Sequence, residues 1–541
     1  MKRHLLYVAS LLAIATSIRL VQLLISSLPY NIDSFAQVAI AEQVLDTGQW
    51  SLDPTSSNAV NLKVPLLPLL LASIASLTGF APLDLAVPVA IGVSLVGILG
   101  LYALVWRLTG HRITAWMAGL VLALLGPYIF NSGTLMKEAF GLALLPALLW
   151  LTWHRQDPRN RVMAAALLLV LPLIHHLSTL MAFGMISFVI LLQNAQAYWE
   201  DRWSWREAGK DVVFGPALFP VALAYYAFVG MEGFTEVWKP DEVALFLAVA
   251  LLMAAAGLLL ASNKRARPWF ALSKARRRLS LLDQKTVAIA GAFLLVLVNL
   301  YLPIFPGTVA TSPLLLLGAL AYLPLVFLAV IGLNLFRLSN KREKVVPVVL
   351  LLAPLTVILY ALLRGLDPLS HVILYRSVDF LDFGIALTVA VAVVSYRGRK
   401  RRVLVGVVVV ALLATVPMAY ASERVFQVQN TTYAYEWAAL NHLSSTGAPA
   451  PYTDQRLASV MAWYFGVPAD GSLPLILDLN QPLPRGVLLL EENWGSRGAQ
   501  VFPFPFILIE EDRLEGLVAD HHLVYHGGAS DNGLLILLSR D

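Results

Sequence analysis

The chain has 541 residues, 58% of them hydrophobic and only 13% charged, with a mean hydropathy of +0.72 and a net charge of +5. So much apolar surface excludes a soluble globular protein of this length and points to a polytopic membrane protein. No cysteine is present, which excludes disulfides, thiolate metal sites and a cysteine nucleophile.

A spanning helix needs about 20 apolar residues. On that criterion a first helix runs over 5–28, behind Lys2 and Arg3, and reads as a retained signal anchor. A long polar loop, 29–63, follows. Within it 33–48 has the apolar spacing of a helix (Phe35, Val38, Ala39, Val44, Leu45) and reads as one lying on the membrane surface. The run 64–77, short and interrupted by Pro65 and Pro68, reads as a half-buried juxtamembrane helix. Spans are then expected at 84–106, 113–130, 138–153, 162–175, 178–196, 212–230, 243–262, 286–304, 311–336, 345–363, 378–396 and 403–421, about thirteen in all.

This division places 27 of the 39 Lys and Arg in the N-terminal Lys2–Arg3 pair and alternate loops, at 107–112, 154–161, 199–210, 262–285, 337–344 and 397–402. Basic loops stay cytoplasmic. The N-terminus is therefore expected inside, and Asp33, Lys137, Glu138, His175, His176 and Arg376 outside. Residues 1–421 form the expected membrane domain and 422–541 a small extracytoplasmic α/β domain. That segment carries 6 basic against 14 acidic residues, whereas 33 basic and 20 acidic residues precede it. The basic excess is thus topological and gives no pointer to nucleic acid. In the C-terminal domain, helices are expected at 432–444, 455–465 and 512–521, and strands at 474–478, 486–490, 505–509 and 533–538.

Four constellations can carry chemistry. Asp33 opens the surface helix, with Glu42 and Asp46 downstream; it can be a general base or metal ligand, or an ordinary helix cap. The short turn ending in Lys137–Glu138 offers a point charge for phosphate and a second carboxylate, or a solvated turn. His175 and His176 point in different directions on a helix, so one of them faces any site, as metal ligand, phosphate contact or proton carrier, unless the pair is merely interfacial. Arg376 shares a helix face with Asp379, and Asp379 shares one with Asp382. A structural Arg376–Asp379 bridge and a phosphate clamp, with His371 or Arg364 nearby, are the alternatives.

The order of these features resembles the GT-C superfamily of integral-membrane glycosyltransferases, which contains oligosaccharyltransferases, protein O-mannosyltransferases and aminoarabinose transferases. The segments that carry it are PYNIDSFAQVAIAEQVLDTGQW (29–50), NSGTLMKEAFGLALLP (131–146) and LPLIHHLSTLMAF (171–183). YTDQRLASVMAWYFG (452–466) is similar to outer domains of archaeal membrane glycosyltransferases. The resemblance implies a sugar donor linked to polyprenyl (dolichyl) phosphate or diphosphate and a glycan, lipid or protein acceptor at the outer face. It implies Asp33 as the catalytic carboxylate of the first loop, acting as base in an inverting displacement, and Glu138 as the acidic residue of the second. Lys137, Arg376 and His175 are then candidates for the donor phosphate. A divalent ion, magnesium or manganese, would fall to Asp33, Glu138 and His176.

Two features depart from that pattern. EENWGSRG (491–498) is not the WWDxG acceptor motif of oligosaccharyltransferases, and Lys137–Glu138 replaces their DxD-like pair. The competing class is a transporter or lipid-linked-sugar flippase. Such proteins show repeated halves and broken helices at matching positions; no internal repeat is found here, and the ionisable residues gather at one rim. A non-catalytic subunit would scarcely need thirteen spans.

Overall fold

The computed structural model describes residues 2–231, 239–261, 313–339, 344–365, 368–421, 431–501, 507–528 and 533–539, with the single positions 291, 298 and 302. Among these residues eight helices are long and apolar enough to cross a membrane: His4–Leu24, Pro82–Thr109, His176–Trp199, Trp205–Phe228, Pro240–Leu260, Val345–Arg364, Val372–Ser395 and Gly398–Tyr420. A ninth is made if Arg112–Leu124 and Gly126–Gly133, bent by 72° at Leu125, count as one span. The protein is a multi-pass helical membrane protein. Most of the run expected at 286–304 lies outside the described residues.

Two expected spans, 138–153 and 162–175, are met by short helices. Lys137–Trp153 has 17 residues and Pro158–Val170 has 13, after which a 3₁₀ turn over Leu171–Leu173 ends the helix before His175. Pro158 opens the second of these and Pro172 closes the way to its extension, because proline lacks the amide that continues a helix. The 311–336 run forms part of a Pro313–Ser339 helix, and the helix expected from 378 begins ten residues earlier, at Pro368.

Two compact units make up the chain. The first is Met1–Arg19, Ile91–Gly133 and Lys137–Ala419. Its central element is the Pro368–Ser395 helix, which packs against both Pro313–Ser339 and Val345–Arg364. Small residues allow this closeness: a Cβ on Gly332 would sit 1.8 Å from the Thr388 carbonyl oxygen, and one on Gly126 would sit 1.8 Å from that of Thr415. With no hydrophobic drive between helices in lipid, close backbone packing is what holds them.

The second unit joins Leu20–Ala90 and Thr134–Met136 to Tyr420–Asp541. Its sheet has three antiparallel strands in the order β1 (Val487–Glu491), β3 (Leu534–Ser539), β2 (His521–Gly527). Val487 pairs with Leu538 and Glu491 with Leu534, and a bulge between Leu523 and Tyr525 interrupts the β2–β3 register. Helices Ala434–Ser445, Gln455–Trp463 and Glu511–Asp520 follow the expected positions. The expected strand at 474–478 is instead a helix, Leu473–Asp478, with Pro474 in its first turn. A five-residue apolar run does not distinguish strand from buried helix, and proline at a helix start decides it here. Strand β2 escaped the reading because its His-rich segment has no apolar alternation. Of 505–509, only residues from 507 are described, and Ile507 makes a single antiparallel bridge to Ala499.

The Asp33–Thr47 helix forms where expected and ends at Gly48, whose φ of 71° closes it. Its apolar face, however, meets protein. Phe35 is fully buried in one core with Leu440, Leu457, Val460 and Met461 of the C-terminal segment, and the helix also packs on Leu66–Thr78. Amphipathic spacing signals an apolar partner without saying whether it is lipid or protein. Side-chain bonds add to the junction: Ser26 Oγ donates to the Thr432 carbonyl at 2.7 Å and Asn58 Nδ2 to that of Trp463 at 2.7 Å.

Candidate active site

One group of buried polar side chains lies along the Pro368–Ser395 helix, at Ser370, Ser377, Asp379 and Asp382. Arg376 lies there with its side chain 18% exposed. Its Nε is 3.5 Å from Oε2 of Glu138, which is almost wholly buried in the first turn of the Lys137–Trp153 helix. A carboxylate suits that position because the first-turn amides carry partial positive charge. Nη1 of Arg376 is 3.3 Å from Nε2 of His175, and Nε also donates to the Tyr375 hydroxyl at 3.2 Å.

His175 caps the His176–Trp199 helix from an extended backbone conformation. Its Nδ1 is 3.0 Å from Ser178 Oγ and 3.3 Å from the Ser178 amide. His176 stacks obliquely on His175, ring centres 4.7 Å apart, and is exposed. Lys137 is half-buried, and with Arg376 it acts electrostatically on both histidines.

The structure thus brings Glu138, His175 and Arg376 into direct contact and sets Lys137 within their electrostatic reach. The Arg376–Asp379 bridge weighed from the sequence does not form. Asp379 instead accepts from Asn131 Nδ2 at 2.6 Å, made possible by the bend at Leu125 that redirects the Gly126–Gly133 segment. Asp382, one turn on, accepts from Tyr322 OH at 3.4 Å. Asn131, Asp379 and Asp382 are all buried, and among the described residues no donor reaches Asn131 Oδ1, Asp379 Oδ1 or Asp382 Oδ2.

Among the ionisable residues of this unit that the reading passed over is a buried arginine in the first helix. Arg19 is fully buried, donating to the Ala15 and Ala123 carbonyls at 3.2 and 3.3 Å and to Ser132 Oγ at 2.9 Å, with its guanidinium 5.6 Å from the Tyr128 ring centre. The available signal was a lone arginine inside an apolar first helix, which by itself marks a site of interest.

Asp33 belongs to the second unit. It is not the helix cap: Ile32 holds that position, and the Asp33 amide donates to Asn31 Oδ1 at 2.8 Å. The carboxylate is half-buried at the start of the helix. Further along, burial raises the Glu42 carboxyl above the ordinary glutamate range, opposed by a 3.3 Å bond from the Tyr464 hydroxyl. Burial and Glu42 push the Tyr464 hydroxyl up to about 12.

No group of three or more His, Asp or Glu side chains placed to hold a metal ion occurs among the described residues. Asp33, Glu138 and His176, on which a metal was expected, form no such group among the described residues.

No protein-family model and no curated protein matches the chain. Among solved structures it is similar to the oligosaccharyltransferase AglB of the archaeon Archaeoglobus fulgidus. The apo form aligns with a TM-score of 0.53 at 12% identity, covering 91% of this chain and 70% of that one. The complex with an inhibitory peptide and a dolichol-phosphate gives 0.52 at 13% identity, over 91% and 69%. A complex with zinc and sulfate gives 0.50 at 14% identity, over 90% and 68%. Identity this low speaks for the fold alone: the chain shares the polytopic helical fold of these structures.

Proposed function

We propose that the protein is a membrane glycosyltransferase that moves a sugar from a polyprenyl-phosphate carrier to an acceptor at the extracytoplasmic face. The observation that carries this reading is Arg376. It is a cation in a buried polar cluster, partly exposed, aligned by Glu138 and His175, in a chain whose fold matches that of a structure holding a dolichol-phosphate. The positive-inside pattern puts this cluster and Asp33 on the outer side, with 1–421 as the membrane domain and 422–541 as the outer domain.

The chemistry follows from the carrier. Its reactive anomeric carbon lies at the membrane surface, bonded through oxygen to a phosphate whose isoprenoid tail stays in lipid. Asp33 takes the proton of the acceptor group as that group attacks the anomeric carbon from the face opposite the phosphate. The carbon–oxygen bond to phosphate breaks with both electrons leaving on oxygen, and configuration inverts. Arg376, with Lys137, stabilises the charge that develops on the leaving phosphate, which is where preorganised cations lower a barrier most. Glu138 serves by fixing the guanidinium in place, and His175 by holding it from the other side.

The test is transfer from a polyprenyl-phosphate-linked hexose, radiolabelled in the sugar, by the full-length protein in membranes. Asp33→Asn is expected to abolish transfer while leaving expression and melting unchanged. Transfer at the normal rate by this variant removes Asp33 from the mechanism.

A further inference from the structure

The helix that Asp33 opens is gripped by an aromatic clamp from the C-terminal domain. Phe35 stacks on Trp437, ring centres 5.3 Å apart and planes 24° from parallel, and meets Tyr464 edge-on at 6.0 Å and 79°. Trp437 and Tyr464 pack on each other at 4.8 Å. Seven residues after Phe35, two helical turns further and hence on the same face, Glu42 takes the Tyr464 hydroxyl at 3.3 Å. A single tyrosine therefore touches the helix at both points through ring and hydroxyl.

Asp33, two residues before Phe35, lies about 200° around the helix from the clamped face at 3.6 residues per turn. The grip thus holds one side of the helix and presents the Asp33 side away from it.

From this geometry we infer that Trp437 and Tyr464 are positioning residues for Asp33: the C-terminal domain acts in sugar transfer by setting where the proposed base stands. The inference rests on the proposed role of Asp33. It gives the outer domain a task in the chemical step without contact with the reacting atoms.

The experiment uses the full-length protein in nanodiscs, with the labelled polyprenyl-phosphate hexose as donor, and two variants, Trp437→Ala and Trp437→Phe. Hydrogen exchange is followed at peptides covering 33–47 and, as a folding control, 487–491. Trp437→Ala is expected to raise exchange at 33–47 with the control unchanged, and to lower kcat roughly 10–100-fold, the scale of an ångström-sized misplacement. KM for the donor should stay within about 2-fold, since a positioning defect leaves donor binding intact. Trp437→Phe keeps the stack and should stay within about 3-fold of the wild-type kcat, because only the fit of the stack changes.

Unchanged kcat in Trp437→Ala overturns the inference, as does lost kcat with unchanged exchange at 33–47. Should Trp437→Ala also loosen the control peptide, Tyr464→Phe replaces it. That change deletes only the hydroxyl on Glu42, and an unaltered exchange and kcat there overturn the inference equally. A wild-type protein that transfers no sugar from lipid-linked donors defeats the functional reading instead, and the exchange data alone then decide whether the clamp holds the helix.

Discussion

Arg376 in the first unit and Arg456 in the second each lie against a glutamate, yet the two surroundings differ in every respect that matters. Arg456 is fully buried. It forks onto both oxygens of Glu436 at 2.8 and 2.9 Å, bonds Glu491 and donates to the Thr431 carbonyl at 3.0 Å. Asp454, nearby, caps the Gln455–Trp463 helix through the Leu457 amide at 2.8 Å. Burial raises the carboxyls of Glu491 and Asp454 above their usual range; the same burial opposes the Arg456 charge, but Glu436, Glu491 and Asp454 outweigh it and hold its pKa above normal. Arg376 makes longer contacts, 3.5 Å to Glu138 and 3.3 Å to His175, and keeps part of its surface open. The lesson is that a fully buried bidentate fork ties two helices to a strand, while a guanidinium that keeps part of its surface open can also meet an incoming anion.

Substitutions at these two positions can break or sharpen that contrast. The largest effect is expected at Arg456. Arg456→Leu strands Glu436 and Glu491 in the core and should cost about 3–5 kcal/mol, seen as loss of exchange protection in β1. Replacing all three together, Arg456→Met with Glu436→Leu and Glu491→Leu, should recover most of that stability, because no uncompensated charge remains. A single variant that melts normally would show the network to be ornamental.

Arg376→Ala comes next and should act on rate. Transfer is expected to fall about 10²–10³-fold, the range for removing one preorganised electrostatic contact, with a far smaller change in melting than Arg456→Leu gives. Equal damage to both properties would erase the distinction between the two arginines. Arg376→Lys keeps the charge and loses the planar fork, so an intermediate fall of about 10-fold is expected, read as kcat at saturating donor.

The smallest effect concerns pH. The folded protein holds the Glu42 carboxyl above its ordinary value, so it binds this proton more tightly than the unfolded chain does. Stability from this group is complete below the ordinary glutamate range and declines as pH rises through the raised value. Glu42→Gln should flatten that decline in the melting temperature, and identical pH profiles for the two proteins would remove Glu42 from the account.

Much of this was legible without coordinates. Apolar run lengths and alternating basic loops identify a multi-pass protein, because lipid admits only segments that satisfy their own backbone. The Asp33 helix and three helices of the C-terminal domain follow from periodicity. Glu138, His175 and Arg376 stand out as ionisable residues beside apolar helices. Their partners do not. Whether Arg376 meets Asp379 three residues away or Glu138 far off in the chain depends on how helices pack, and local spacing favours the wrong one. Likewise, Asn131 becomes the partner of Asp379 through a bend that the Gly–Pro step at 126–127 permits but does not aim.

What the sequence determined by itself was therefore the inventory: that many segments are apolar enough to cross lipid, which residues are too costly there to be idle, and which helix Asp33 begins. What tertiary structure alone decided was pairing. It turned the apolar face of the Asp33 helix onto Trp437 and Tyr464 instead of lipid, and it distinguished a fully buried arginine from a partly exposed one. The reason is physical: hydrophobic spacing specifies that a face must be covered, whereas the identity of the cover, and the length of each ion contact, are set by close packing between segments remote in the chain.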